Sequence, residues 1–390
     1  MIISCIDEYK YSEEVIMKHE LHLVIEGRIL SGDESIIYLS YAVPFGQIER
    51  PEAILNAKIT IIGQNGYESK LAEFDIENDR YYIPTHDLPM NTLYALKVEV
   101  DGEIYQSEFE SIQKAKEIDE VCYKENETDI TIHVSSHGNE EDSPYYIWTY
   151  EEDWEIHPSI DVSRELPKGY WSYNKSLYPD LVIGGDNPYM NCWGHNNSSL
   201  IHIYNTANLS QNSIKAYELL NIPLDDIKLS DLYSILVKQM GLNEKSYEFF
   251  RLQKLYSEQS GSLFTPMPTE IKGNVQCLSN PNKKVFGYVI FSQVIKQRIF
   301  IDSDDLVQKL DFETYCSTAM GLKSPTIAQE AEWIRLWNKE RNENGAFIWY
   351  ANEGEMFRES SIIYSRTCVD CRAFPNSTKK RPDFWPTDHE

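Results

Sequence analysis

Residues 243–301, NEKSYEFFRLQKLYSEQSGSLFTPMPTEIKGNVQCLSNPNKKVFGYVIFSQVIKQRIFI, are the stretch whose reading decides the fold. Asn243 suits a helix N-cap, because its side-chain oxygen accepts from the free amides of the first turn. Glu244 adds a negative charge at the positive end of the helix dipole. No Gly or Pro interrupts 245–259, and Phe249, Leu252 and Tyr256 recur at helical spacing, widened by Tyr247 and Phe250. Ser260-Gly261 stops the helix, and Pro266, Pro268 and Gly273 mark an irregular connection. Two strands follow, 285–291 and 297–301, the first nearly all apolar and therefore expected to be buried on both faces. The loop 261–273 reads either as a ligand loop or as a connection seating the helix on a sheet. Gly and Pro chiefly serve backbone geometry, which favours the second.

Upstream, the period changes from helical to two. Leu21, Leu23 and Ile25 alternate with His22, Val24 and Glu26, and Ile37, Leu39 and Tyr41 continue after a Gly32-Asp33 turn. Ile59 and Ile61 share a face, as do Tyr94, Leu96, Val98 and Val100. Asp101-Gly102 is a two-residue hairpin signal, with 104–109 as the return strand. Short alternating strands separated by turns predict an immunoglobulin-like β-sandwich. The fold class expected is mainly β: all-β with α insertions, an N-terminal sandwich and a second β-rich domain carrying two helices. The divisions expected are a tether over 1–19, the sandwich over 20–113, a linker over 114–120, and the C-terminal domain over 121–390. Its helices are placed near 244–259 and 326–341.

In that second region Ile130, Ile132 and Val134 alternate with Thr131 and His133, and Tyr146, Trp148 and Tyr150 share a face ahead of Glu151-Glu152-Asp153-Trp154-Glu155. This run reads as a stacking platform rimmed by carboxylates, or as a core strand whose acids meet water; the core strand is favoured. Residues 167–188 form a long irregular stretch that reads either as a contact surface, carried by Tyr170, Trp171, Tyr173, Tyr178, Asp186 and Asn187, or as an elaborated loop packed on the second domain. Further strands are expected at 200–204, 233–239, 347–350 and 362–364.

The 390 residues carry a net charge of −26, which repels phosphate backbones, and no Lys/Arg cluster exceeds Lys379-Lys380-Arg381; a nucleic-acid role is excluded. With 42% hydrophobic and 12% aromatic residues the chain is globular in composition. No run of about 18 apolar residues exists to span a bilayer as a helix. Met1-Ile2-Ile3-Ser4 before Cys5 reads as the end of a lipoprotein signal, as a late start, or as an ordinary tail with a free thiol. Six cysteines remain besides Cys5, a number that permits pairing in an oxidising compartment. Cys368-x-x-Cys371 is open to three readings: a zinc half-site, a redox pair, or disulfide partners. No second ligand pair matches it, and Pro375, Pro382 and Pro386 oppose a following helix, so structural disulfides pinning the tail are expected. The candidates are Cys192, Cys316, Cys368 and Cys371, with Cys192 as partner of one of the last two.

Several motifs together resemble one family. They are Leu23-Val24-Ile25-Glu26-Gly27, Tyr247-Glu248-Phe249, Gly261-Ser262-Leu263-Phe264, Gly273-Asn274-Val275, Gly287-Tyr288, Cys368-Val369-Asp370-Cys371 and Arg381-Pro382-Asp383-Phe384-Trp385. The set resembles the domain-of-unknown-function family 4249. That resemblance implies a Gram-negative outer-membrane lipoprotein, often encoded beside TonB-dependent receptors, with lipidation at Cys5 and the membrane met through the lipid anchor only. It carries no catalytic residues. No G-x-S-x-G elbow, P-loop or G-x-G-x-x-G occurs, and His133 and His137 lack the Glu of a zincin helix. His195 three residues after Cys192 is a weak thiol–imidazole signal. No catalytic residue, metal ligand or cofactor is therefore assigned. The function expected is a non-enzymatic accessory to an outer-membrane transporter, capturing a small ligand or binding the receptor. The alternatives are an envelope glycan or peptide hydrolase, or an adhesion or scaffold module.

Overall fold

The computed structural model describes residues 22–43, 51–139, 142–158, 190–259, 271–308, 318–322, 348–351, 361–368 and 370–387. Eight strands come first: β1 (Leu23–Ser31), β2 (Glu34–Tyr41), β3 (Lys58–Gly63), β4 (Glu73–Asp75), β5 (Arg80–Pro84), β6 (Leu93–Val100), β7 (Glu103–Ser107) and β8 (Glu110–Ser111). Seven follow: β9 (Ile118–Glu125), β10 (Asp129–His137), β11 (Tyr145–Ile156), β12 (Cys192–Asn197), β13 (His202–Asn205), β14 (Ser213–Pro223) and β15 (Leu232–Leu242). The helix α1 (Glu244–Gln259) leads to β16 (Val275–Cys277), β17 (Val285–Phe286) and β18 (Val289–Asp302). Last come β19 (Thr318–Leu322), β20 (Ile348–Ala351), β21 (Ser361–Ser365) and β22 (Ser377–Thr378). The chain is mainly β, as its alternating patterns predict.

One eleven-stranded sheet has the order β22-β12-β11-β15-β18-β1-β2-β5-β4, with β13 joined to β11 and β17 to β1. A five-stranded sheet, β16-β7-β6-β3 with β8 on β6, packs against one end of it. Between them Ile25, Ile37, Ile59, Ile61, Tyr94, Leu96, Val289 and Phe291 form an apolar core. The three-stranded sheet β14-β10-β9 covers the other end over a second core of Ile130, Ile132, Val134, Tyr146, Trp148, Trp154, Tyr233 and Ile235. A separate three-stranded sheet orders β19-β21-β20.

The first sandwich is not built from residues 20–113 alone. β1 pairs in parallel with β18, Gly27 opposite Val289 and Ile29 opposite Phe291, and β16 pairs with β7, Cys277 opposite Tyr105. A parallel pair needs a long crossover; here that crossover contains most of the second sandwich, so local alternation gives no hint of it. Nor is 114–120 a free linker. Gln113 N–H donates to Phe291 O at 2.9 Å, β9 begins at Ile118, and Lys116 is 1% exposed. Its ammonium donates to the main-chain oxygen of Asn212 and sits 4.2 Å from the centre of the Tyr146 ring. That burial pushes the ammonium down to about 8.

The Asn243 cap is present: its Oδ1 accepts from Ser246 N–H at 2.8 Å. α1 packs on β11, β13 and β15, with Phe249 4.9 Å from Tyr288 and Tyr247 stacked 4.9 Å from Tyr145. The strand expected at 285–291 breaks at Gly287, which takes φ +93° where any Cβ would collide with Ile25 O. Beyond the break, 289–302 form one strand rather than two. The tether 1–19 and the helix expected at 326–341 lie outside the described residues.

Candidate functional site

β11 supplies the polar centre of the second sandwich. Its residues alternate between two faces, as every strand's must. Tyr146, Trp148, Tyr150, Glu152, Trp154 and Ile156 point into the sandwich, and Glu151, Asp153 and Glu155 point to the opposite side. The stacking-platform reading is corrected: Tyr146 and Trp148 are fully buried, Trp148 stacks 4.5 Å from Tyr217, and its indole N–H donates to Gln239 Oε1 at 2.8 Å. The companion expectation that the acids meet water also fails. Glu152, Asp153 and Glu155 are all at most 5% exposed.

Each buried carboxylate has partners, as burial of charge demands. Glu152 accepts from Lys228 Nζ at 2.8 Å, Asn196 Nδ2 at 2.9 Å and the Tyr233 hydroxyl at 3.0 Å. Burial, and then the Glu152 charge, push the Tyr233 phenol well up from its ordinary range. On the opposite face Asp153 meets His195 Nδ1 at 2.8 Å and accepts from Arg298 Nη1 at 3.2 Å. Arg298 also donates to Ser234 Oγ at 2.8 Å and lies 3.5 Å from the Phe384 ring centre. The hydrogen bond to Asp153 pushes His195 up, against the opposing effect of burial. His195 Nε2 faces Asn197 Nδ2 at 3.1 Å, and Ser234 is fully buried beneath Arg298. The Asp–His pair thus lies between an amide and a guanidinium, with Asp153 buried and the His195 ring exposed.

At the end of β11, Glu155 accepts from the indole N–H of Trp385, and His157 Nδ1 is hydrogen-bonded to Asp231. That bond pushes the His157 imidazole up. Trp385 is 3% exposed and meets Phe300 edge-on at 5.6 Å. The tail holding it is tied twice. β22 pairs with β12, Gly194 opposite Ser377, and a disulfide joins Cys192 to Cys371 with Cα atoms 5.6 Å apart. Gly194 is required because a side chain there would enter the Trp154 ring.

The structure thus brings Cys192 and Cys371 together as partners and makes the Cys192–His195 thiol pair impossible. Cys368 is also disulfide-bonded, while Cys122 and Cys277 are free. His133 and His137 lie on β10, where His133 Nδ1 faces Ala216 O at 3.3 Å and His137 pairs with Asp119; they share no ligand position. Cys5, Cys316 and the contact-surface residues Tyr170, Trp171, Tyr173, Tyr178, Asp186 and Asn187 lie outside the described residues. Sequence reading missed Asp231, Arg298 and Trp385, each far from β11 in the chain. The one available signal was Glu155-x-His157, a two-residue spacing that puts both on one face where the strand ends.

No curated protein matches the chain. Among solved structures, a two-domain fibronectin type-III segment from chicken tenascin is similar over 55% of this chain and 88% of that one, at 10% identity and a TM-score of 0.15. The family described as Domain of unknown function (DUF4249) matches residues 6–298. That match takes in most of both sandwiches and all of α1, and the chain belongs to the DUF4249 family.

Proposed function

We propose that this protein is a lipid-anchored, non-enzymatic accessory of an outer-membrane TonB-dependent transporter, held at the envelope through Cys5 and presenting its sandwiches to a ligand or to the receptor. The observation that carries the reading is the continuous sheet from β22 to β4, which makes the two sandwiches one stiff body. A stiff β-body suits presentation of loops and strand edges to a partner. The internal pairing of Glu152 and Asp153 supports a structural use of those charges. The Cys192–Cys371 disulfide is in keeping with an oxidising compartment. The transporter partnership rests on the company that the family resemblance implies.

Purification from gently solubilised outer membranes tests the partnership, alongside metabolic labelling with a palmitate analogue. The expected result is label that disappears in Cys5→Ala and a β-barrel that co-elutes with the wild-type protein. Absence of both the label and the barrel overturns the reading.

A further inference from the structure

At the end of β11, three side chains combine the composition and the closeness of a metal centre. Glu155 and His157 leave the strand on one face, and Asp231 stands just ahead of β15, which pairs with β11. One ring nitrogen of His157 and one oxygen from each acid lie within 4.8 Å of one another. Nitrogen and oxygen donors sit about 2.0–2.2 Å from a zinc ion, so tetrahedral donors stand roughly 3.4 Å apart. Small side-chain rotations bring this trio to that spacing.

Two independent features surround the trio. The first is outer support: Trp385 donates to Glu155 from a tail fastened by the Cys192–Cys371 bond, so the carboxylate is aimed by a side chain that is itself buried. Metal ligands are typically oriented by such outer donors. The second is a pair of orphan atoms. Ser230 Oγ and Trp193 Nε1 are buried and lack hydrogen-bond partners. Ser230 precedes Asp231, and Trp193 is the cross-strand neighbour of Glu155 on the same face. Unsatisfied buried polar atoms point to a missing water or ion.

We propose that Glu155, His157 and Asp231 bind one divalent d-block cation of the zinc type, through three protein donors, with a coordination position left for water or an anionic ligand group. Imidazole with carboxylates suits such a cation better than calcium, which takes oxygen ligands only. The site stands apart from the transporter reading, and neither depends on the other.

The test uses the purified full chain, stripped with a chelator and titrated with zinc chloride by calorimetry in a non-coordinating buffer. Wild type is expected to take up one equivalent that is lost in both His157→Ala and the near-isosteric Asp231→Asn, and retained in His195→Ala. Trp385→Phe is expected to weaken binding about 10–100-fold, as loss of an outer partner does. Circular dichroism confirms that each variant is folded, and cobalt(II) added to wild type should give the visible absorption of a low-coordinate site that Asp231→Asn lacks. Absence of zinc uptake by wild type, or uptake undiminished in a folded Asp231→Asn, overturns the proposal, the second result marking adventitious binding to surface acids.

Discussion

Cys192 and Cys371 are joined across 179 residues of sequence, and the bond anchors a tail whose Trp385 fills the outer face of the sheet beside Glu155. The sulfurs lie in the second core, where both cysteines are fully buried. The crosslink therefore spans β12 and the tail rather than the Cys-x-x-Cys pair itself.

Replacing both cysteines by serine is expected to lower stability by about 2–5 kcal/mol, because a crosslink that closes a long loop restricts the unfolded chain. Limited proteolysis checks the local part: 371–387 should be cleaved in the double variant under conditions that leave wild type whole.

Asn274 substitutes for a strand residue beside β18. Its amide donates to Val289 O and accepts from Val289 N–H, each at 2.8 Å. Asn274→Ala orphans both main-chain groups, at about 1–3 kcal/mol each. Asn274→Asp keeps only the acceptor and should fall between wild type and Ala in urea denaturation.

Gly287 is held at φ +93°, and a Cβ added to it would run into the main-chain oxygen of Ile25. Gly287→Ala adds both a disfavoured backbone conformation and a collision with main chain that cannot rotate away. It should cost about 2 kcal/mol or more. The loss should appear as a lower thermal midpoint with the β-sheet circular dichroism unchanged below it.

His202 is buried between Tyr150 and Tyr217, and its Nε2 has no partner. Burial, aided by the Lys254 charge, pushes it down to about 4 from 6.5. The folded state thus holds the ring neutral while the unfolded chain takes up a proton below 6.5. Its contribution is intact above that pH and is lost as pH falls toward 4, at no more than about 1.4 kcal/mol per pH unit. His202→Phe should show a shallower decline than wild type in denaturation midpoints measured from pH 7 to pH 4.5.

Much of the fold is legible in short windows. The alternation of Ile59 and Ile61, the Asp101-Gly102 hairpin and the Asn243 cap all appear where the sequence places them, because each depends on residues within a turn or a strand. The aromatic face of β11 was also legible as core. Less legible was the fate of its acids. A charged residue at an alternating position is read as solvent-facing, and only the arrival of Lys228, Arg298 and Trp385 from elsewhere makes burial of Glu152, Asp153 and Glu155 tolerable.

The sequence by itself determined a β-rich chain, the helix after Asn243, the strongly acidic balance and the motifs of its family. Local hydrogen bonding and side-chain period dictate the first two, and summed charge the third. Tertiary structure alone decided that β1 lies beside β18, that Cys192 takes Cys371, and that Glu155 meets His157 and Asp231. Each of those contacts joins segments that no local pattern links, and each exists because burying two separate apolar faces brought their edges together.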